Sequence, residues 1–246
     1  MRRLIAAFRF LTRLPVPGPE TRVEDLSGAV GWFPVVGATV GFATAGIFVL
    51  ALKLWTAPLA AVLAVAFGLL LTGGFHEDGF TDAADGLGGG WTRERVLEIM
   101  KDSRIGAYGS MALWCTLTLR WAALWNLERK ALWVLPLAMV WGRWSIALML
   151  RMLPSISQGL AKEVHKGLGH GPFVLSTVIL IAANLVAWQM GLVQGWSSAI
   201  VTIAAIAMAL AWILYLRHRL GGHSGDLLGA GNQLVEAAVL LALLAI

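Results

Sequence analysis

The residues best suited to chemistry lie in the stretch 73–109, GGFHEDGFTDAADGLGGGWTRERVLEIMKDSRIGAYG. It holds seven of the chain's fourteen acidic residues: Glu77, Asp78, Asp82, Asp85, Glu94, Glu98 and Asp102. A helix over 75–86 sets Asp78, Asp82 and Asp85 at i, i+4 and i+7, on one face. Three stacked carboxylates repel one another, so a cation is expected among them. Hard oxygen donors in a row suit Mg²⁺ or Mn²⁺, which keep some of their waters and bridge to substrate phosphates. Asp78, Asp82 and Asp85 are therefore the candidate metal ligands. His76 is a poor ligand for Mg²⁺ and is the candidate for a polar or catalytic role. Glu77 falls off the Asp78 face, where a solvated charge is equally well accommodated.

The residues that follow extend the site. Gly86 and the run Gly88–Gly90 allow a sharp turn whose exposed amides can hold phosphate oxygens. Thr92 is expected to cap a short amphipathic helix. Asp102, Ser103 and Arg104 lead back towards an apolar run; Arg104 either snorkels to headgroups or clamps a phosphate bidentately. A second glycine-rich turn, GGHSGDLLGA at 221–230, presents Ser224 and Asp226. Asp226 either caps a helix or completes a metal site with the first three aspartates. Arg120, Arg143 and Glu236 lie inside apolar runs, where charges are costly and usually paired or functional. Arg120 with Glu236 would make a structural pair.

These residues need a membrane scaffold to position them. The chain is 58% hydrophobic and 13% charged, with mean hydropathy +0.75. A soluble domain carries about 25% charged residues. Apolar runs at 30–52, 59–75, 107–125, 131–150, 173–194, 199–216 and 227–246 approach the ~20 residues that cross a bilayer. The expected fold is an all-α polytopic helix bundle, a single domain over 1–246 with about seven transmembrane helices. Residues 1–14 add an amphipathic surface helix, with Arg2, Arg9 and Arg13 on one side and Leu4, Phe8 and Leu11 on the other. Pro15, Pro17 and Pro19 end it, and a polar linker runs to residue 27. Residues 76–106 then form an acidic cytoplasmic loop.

With a cytoplasmic N-terminus, segments 1–29, 76–106, 151–172 and 217–226 share one side and hold fourteen of the nineteen Lys and Arg. That asymmetry sets the orientation and puts the acidic stretch and Asp226 on the cytoplasmic face. It also accounts for the net charge of +5, so nucleic acid is not an expected partner. The single cysteine, Cys115, excludes an intramolecular disulfide and reads as a small buried apolar residue. No cleavable signal peptide is expected.

The segment GGFHEDGFTDAADGL (73–87), followed by KDSRIGAYG (101–109), resembles the signature of the cobalamin synthase (adenosylcobinamide-GDP ribazoletransferase) family. FLTRLPVP (10–17) and GGHSGDLLGA (221–230) resemble it too, in the same order over nearly the whole chain. One departure is His223-Ser224, where a pattern nearer Val-Thr is expected before Gly-Asp; the hydroxyl and the carboxylate are kept. The resemblance implies an inner-membrane, Mg²⁺-dependent enzyme whose active site faces the cytoplasm. Adenosylcobinamide-GDP would react with α-ribazole, or its 5′-phosphate, to give adenosylcobalamin, or its 5′-phosphate, and GMP. It implies Asp78, Asp82, Asp85 and Asp226 as metal ligands, with Asp82, Asp85, His76 and Arg104 in catalytic roles. Gly86, Gly88, Asp102, Ser103, Arg104 and Ser224 would contact substrate. The lipid bilayer is the expected surrounding, and homo-oligomerisation stays open. Asp82-Ala83-Ala84-Asp85-Gly86 also matches the opening of the CDP-alcohol phosphotransferase motif, but the rest of that motif is absent. A polyprenyl transferase, which also uses aspartate-rich motifs, and a membrane transporter compete with this assignment.

Overall fold

The computed structural model describes residues 1–156 and 160–246, leaving aside the side chains of Arg129, Leu160 and Lys166. The basic segment 151–172 includes 157–159, which lie outside the described residues. No β-strand occurs among the described residues, and the expected all-α class holds.

The amphipathic start forms α1 (Arg2–Leu11), which buries Ala6, Ala7 and Leu11. It stops at Thr12, whose extended backbone leads into the prolines. Arg9 does not reach for headgroups. Its guanidinium folds back and donates to the carbonyls of Val16, Pro19 and Gly18 at 3.0, 2.6 and 2.9 Å. The expected linker contains α2 (Val23–Ala29), because Asp25 accepts the Arg22 amide at 3.1 Å and so closes its first turn. One 3₁₀ turn joins α2 to α3 (Phe33–Ala51), making one helical segment from Val23 to Ala51.

Next comes α4 (Ala57–Thr72). Two successive left-handed residues, Gly73 (φ 70°) and Gly74 (φ 67°), then turn the chain by 91° into α5 (Phe75–Gly89). Only glycine takes that conformation without strain, so the pair fixes the angle at which the acidic helix leaves α4. Thr92 accepts the Arg95 amide at 3.2 Å and starts α6 (Arg93–Ile99), as expected. The acidic connection 76–106 thus consists mostly of two helices, the ones expected over 75–86 and after Thr92. The remaining helices are α7 (Ala107–Leu127), α8 (Ala131–Met152), α9 (Leu160–Lys166), α10 (His170–Gln189), α11 (Trp196–Arg219) and α12 (Gly225–Leu244).

All seven expected apolar runs are mostly helical, though the run 173–194 leaves its helix after Gln189 and 59–75 breaks at Gly73. By length and composition five segments can cross a membrane: Val23–Ala51, α8, α10, α11 and α12. The bent pair α4–α5 makes a sixth if taken as one span. The count is therefore five or six on these criteria, against about seven expected. Helix α4 is only 16 residues long, and α7 carries Arg120, Asn126 and three tryptophans. The chain is a multi-pass membrane protein.

The core sits around α8, which is buried along nearly its whole length and packs on α3, α10 and α12. Gly37 and Gly41 let α3 approach closely: a Cβ on either would lie 2.5 Å from the Met139 carbonyl oxygen or from Pro136 Cα. Helices α10 and α11 turn Val174, Val178, Ile181, Leu185, Ile203 and Leu214 outwards, as lipid-facing helices do. Cys115 is exposed on α7, near the exposed Met111 and Trp114, rather than buried.

Candidate functional site

The acidic helix is held from beneath by a buried ionic network. The Glu77 Oε1 accepts from Arg120 at 2.7 Å and from Gln233 Nε2 at 3.2 Å. Arg120 also donates to Gln233 Oε1 at 2.6 Å and pairs with Glu236 Oε1 at 3.2 Å. Glu236 Oε2 in turn binds Arg143 at 2.6 Å. All four charges are buried. Two acids and two bases leave no net charge, the arrangement under which buried ions persist. The expected Arg120–Glu236 pair is present. Glu77, which read equally well as a solvated charge, is instead buried and anchors α5 to α7 and α12. The sequence carried a signal for this: two arginines but only one acid lie within apolar runs, which leaves one positive charge unmatched.

On the opposite side of α5 the aspartates separate by depth. Asp78 is exposed, Asp82 half-buried and Asp85 buried. Helices α5 and α12 cross at Gly79, where a Cβ would stand 2.9 Å from Asp226 Cα. This contact brings Asp226 to the aspartate face: Asp78, Asp226 and Asp85 all act electrostatically on Asp82. Ser224, not Asp226, caps α12, accepting the Leu227 amide at 3.4 Å. Asp226 lies in the first helical turn with its carboxylate half-buried.

Asp85 does something its spacing does not suggest. Its Oδ2 accepts the Gly106 amide at 2.7 Å and its Oδ1 the Gly109 amide at 2.8 Å. It therefore caps α7 from a neighbouring helix, satisfying two of the amides every helix start leaves orphaned. Asp78, Asp82 and Asp226 have no cationic partner among the described residues, whereas Glu77, Glu236, Glu98 and Asp102 each do. No three His, Cys, Asp or Glu side chains among the described residues stand close enough together to hold an ion by themselves.

Two cavities flank the carboxylates. One, of about 240 Å³, runs from Asp78 and Asp226 between α1, α3, α5, α8, α9 and α12. His76 is among its lining residues; the side chain is buried and its Nε2 has no hydrogen-bond partner among the described residues. The other is an open groove of about 590 Å³ lined by Asp85, Glu98, Asp102, Arg104 and Tyr108. Arg104 is exposed there and bound to Asp102 at 2.7 and 3.0 Å. Its hydrogen bonds and charge hold the Asp102 carboxyl down at about 2. Ser103 lies exposed in the same connection.

The glycine run does not form the expected phosphate-cradling turn. Helix α5 continues to Gly89, so Gly86 and Gly88 lie within the helix. A Cβ at Gly86 would meet the Val96 carbonyl oxygen at 2.9 Å, and one at Gly88 would meet the Tyr108 ring at 2.5 Å. The close approach they permit is to α6 and α7. Arg219, which no motif marks out, fastens this end by donating to the Gly90 and Trp91 carbonyls at 2.5 and 2.7 Å. His223 is buried beside His165, with ring nitrogens 3.4 Å apart. Burial, then the His165 charge, lowers it to about 4.

The cobalamin-5-phosphate synthase family model matches residues 3–244. An adenosylcobinamide-GDP ribazoletransferase from Leptothrix cholodnii is 36% identical, covering 99% of this chain and 95% of its own length. Relatives of the same name from Chlorobaculum tepidum and Rhizobium etli are 36% and 39% identical, over 97% and 96% of this chain and 93% and 94% of their own lengths. No solved structure matches the chain. Matched over residues 3–244 and aligned to these relatives over nearly its whole length, the chain belongs to the cobalamin-5-phosphate synthase family.

Proposed function

We propose that this chain moves the phosphocobinamide part of adenosylcobinamide-GDP onto α-ribazole, or its 5′-phosphate, and releases GMP. It is thus a transferase of cobalamin biosynthesis. The observation that carries this reading is the family match over residues 3–244, with full-length relatives named for that transfer. The site chemistry agrees with it. Displacing GMP from a diphosphate needs charge neutralisation and a correctly held hydroxyl, and no covalent nucleophile.

Asp78, Asp82 and Asp226 have no cationic partner among the described residues and are hard oxygen donors of the kind Mg²⁺ takes, so we assign them to it. When bound, the ion neutralises charge on the diphosphate. Asp85 holds the start of α7 against this site through Gly106 and Gly109, a positioning role in place of the central ligand expected. Asp82, flanked by three carboxylates, is our assignment for the group that accepts the hydroxyl proton. Arg104, at the rim of the open groove, is placed to steady the departing GMP. The positive-residue asymmetry supports a cytoplasmic location for this face, and the family resemblance implies the inner membrane. A transporter reading loses its main support, because Arg120 and Arg143 are neutralised by Glu77 and Glu236 in the core.

The test is purified protein with adenosylcobinamide-GDP, α-ribazole and Mg²⁺, followed for GMP and cobalamin by chromatography. GMP release is expected, abolished by chelation and restored by Mg²⁺. Asp82→Asn and Asp226→Asn should each lower kcat by about 100-fold or more. CMP release from a CDP-alcohol, or substrate flux without bond cleavage, would overturn the reading.

A further inference from the structure

The open groove between α5, α6 and the start of α7 has a volume of about 590 Å³, within the ~300–1,000 Å³ of pockets for drug-sized ligands. Three of its side chains keep binding capacity that the fold does not use. The first is Tyr108. A Cβ at Gly88 would stand 2.5 Å from the ring Cγ and 2.7 Å from both Cδ atoms, so Gly88 backs one face of the ring. The residue is still 51% exposed, which leaves the other face open. The second is Arg104. Its Nε and Nη2 are held by Asp102, while its Nη1 has no hydrogen-bond partner among the described residues. The third is Glu98. Its Oε2 accepts from Arg95 at 2.8 Å, an exposed i,i+3 pair of the kind that contributes little. Its Oε1 has no partner among the described residues. The other two carboxylates of the groove are fully engaged, Asp102 by Arg104 and Asp85 by the amides of Gly106 and Gly109.

We propose that this groove seats the GMP half of the donor, with the base stacked on Tyr108, its N1–H and 2-amino edge read by Glu98, and a phosphate held by Arg104. The inference rests on the reading of the donor as a GDP adduct; it names the seat of the base and the residue that selects it. An open ring face stacks with any base, so Tyr108 supplies affinity without choice. The choice lies with the carboxylate, which when ionised only accepts hydrogen bonds. Guanine turns two adjacent N–H donors towards it, one for the free Oε1 and one for the Oε2 that the exposed Arg95 contact gives up. Adenine turns its N1 lone pair to the same place, which sets acceptor against acceptor and leaves both unpaired. The direction of the groove fits the reaction. Its buried member, Asp85, acts electrostatically on Asp82, so a diphosphate running inwards from the nucleoside arrives at the aspartate face. A phospholipid headgroup would use Arg104 but leave Glu98 and the ring face idle.

Binding is measured without turnover, by calorimetry of GMP, IMP and AMP with Mg²⁺ on the detergent-purified full chain. Wild type should bind GMP about tenfold or more tightly than AMP, with IMP, which keeps N1–H but lacks the 2-amino group, in between. In Glu98→Gln the preference for GMP should collapse to near unity. In Glu94→Gln, the same charge change on the same helix at a residue that does not line the groove, it should stay. Tyr108→Leu should weaken GMP and AMP alike by about fivefold or more, and Tyr108→Phe should restore both. A preference that survives in Glu98→Gln, or an unchanged GMP Kd in a folded Tyr108→Leu, overturns the proposal; so does an absence of GMP binding at millimolar concentration. Glu98 is exposed and its variant keeps the fold, so its result decides even where Tyr108→Leu fails to fold. GMP selected through Glu98 in a protein that transfers nothing to α-ribazole would leave the seat standing and sink the reaction. GMP release from the GDP donor, with its preference over an ADP donor intact in Glu98→Gln, would do the reverse.

Discussion

Asp85 and Glu77 share the acidic helix, yet both are spent on architecture. Asp85 gives both carboxylate oxygens to the first amides of α7. Asp85→Ala should cost about 1–3 kcal/mol, since it strands two backbone donors at a helix start. The expected readout is a lower unfolding temperature in detergent together with reduced GMP release. A drop in turnover with unchanged melting would instead make Asp85 a direct participant. Glu77 gives Oε1 to Arg120 and Gln233. Removing it alone leaves a buried guanidinium short of a partner, so Glu77→Ala should destabilise by about 3–5 kcal/mol. The double variant Glu77→Met, Arg120→Met should lose less than the sum of the two single variants, as measured by a thermal double-mutant cycle. Additive losses would show that the pair acts independently. Reading these residues from sequence had a clear limit. Spacing puts Asp78, Asp82 and Asp85 on one face, but it does not say which of them another helix will claim.

Helices α5 and α12 form the element that makes the site. Their crossing at Gly79 is what brings Asp226, nearly 150 residues further along the chain, to the aspartate face. Backbone faces backbone there, so even a methyl group must separate the helices. Gly79→Ala should therefore raise the Mg²⁺ concentration needed for half-maximal GMP release, while Gly46→Ala, whose Cβ meets nothing within 4 Å, should not. Identical Mg²⁺ curves for both variants would disconnect the crossing from the metal. The helix carrying the aspartates was legible from the sequence, and so was the α6 cap at Thr92. Its extension through Gly86 and Gly88 was not. Three glycines close together suggest a turn by propensity, but packing against Met100, Val96 and Tyr108 rewards a helix whose missing side chains leave room for those neighbours.

At the scale of the molecule, α8 forms a buried axis and α10 and α11 face lipid. In the proposed topology, basic residues gather on the side that carries the aspartates. With Cys115 first replaced by Ser, a cysteine at Arg104 should react with a membrane-impermeant thiol reagent only in inverted vesicles or broken cells. One at Lys53 should react in intact cells whose outer barrier is permeabilised. The reverse pattern would invert the topology and move the active face out of the cytoplasm. The number of spans depends on α4, α5 and α7, each of which is too short or too polar to cross a membrane by composition alone. They are held in the bundle by one another: α5 packs on α7 and α12, and α4 on α3 and α7.

Composition and period determined a great deal by themselves. They identify an all-α membrane protein, mark its apolar helices, and set Asp78, Asp82 and Asp85 on one helix face. Those properties are local, because hydropathy and 3.6-residue spacing are written along the chain. Only the tertiary structure decided that Asp226 joins that face, that Asp85 caps α7, that Glu77 is buried against Arg120, and that His76 is buried. Each of these depends on where a distant helix passes. Helix crossings are set by close packing at positions such as Gly79, and that packing carries no periodic signature in the sequence.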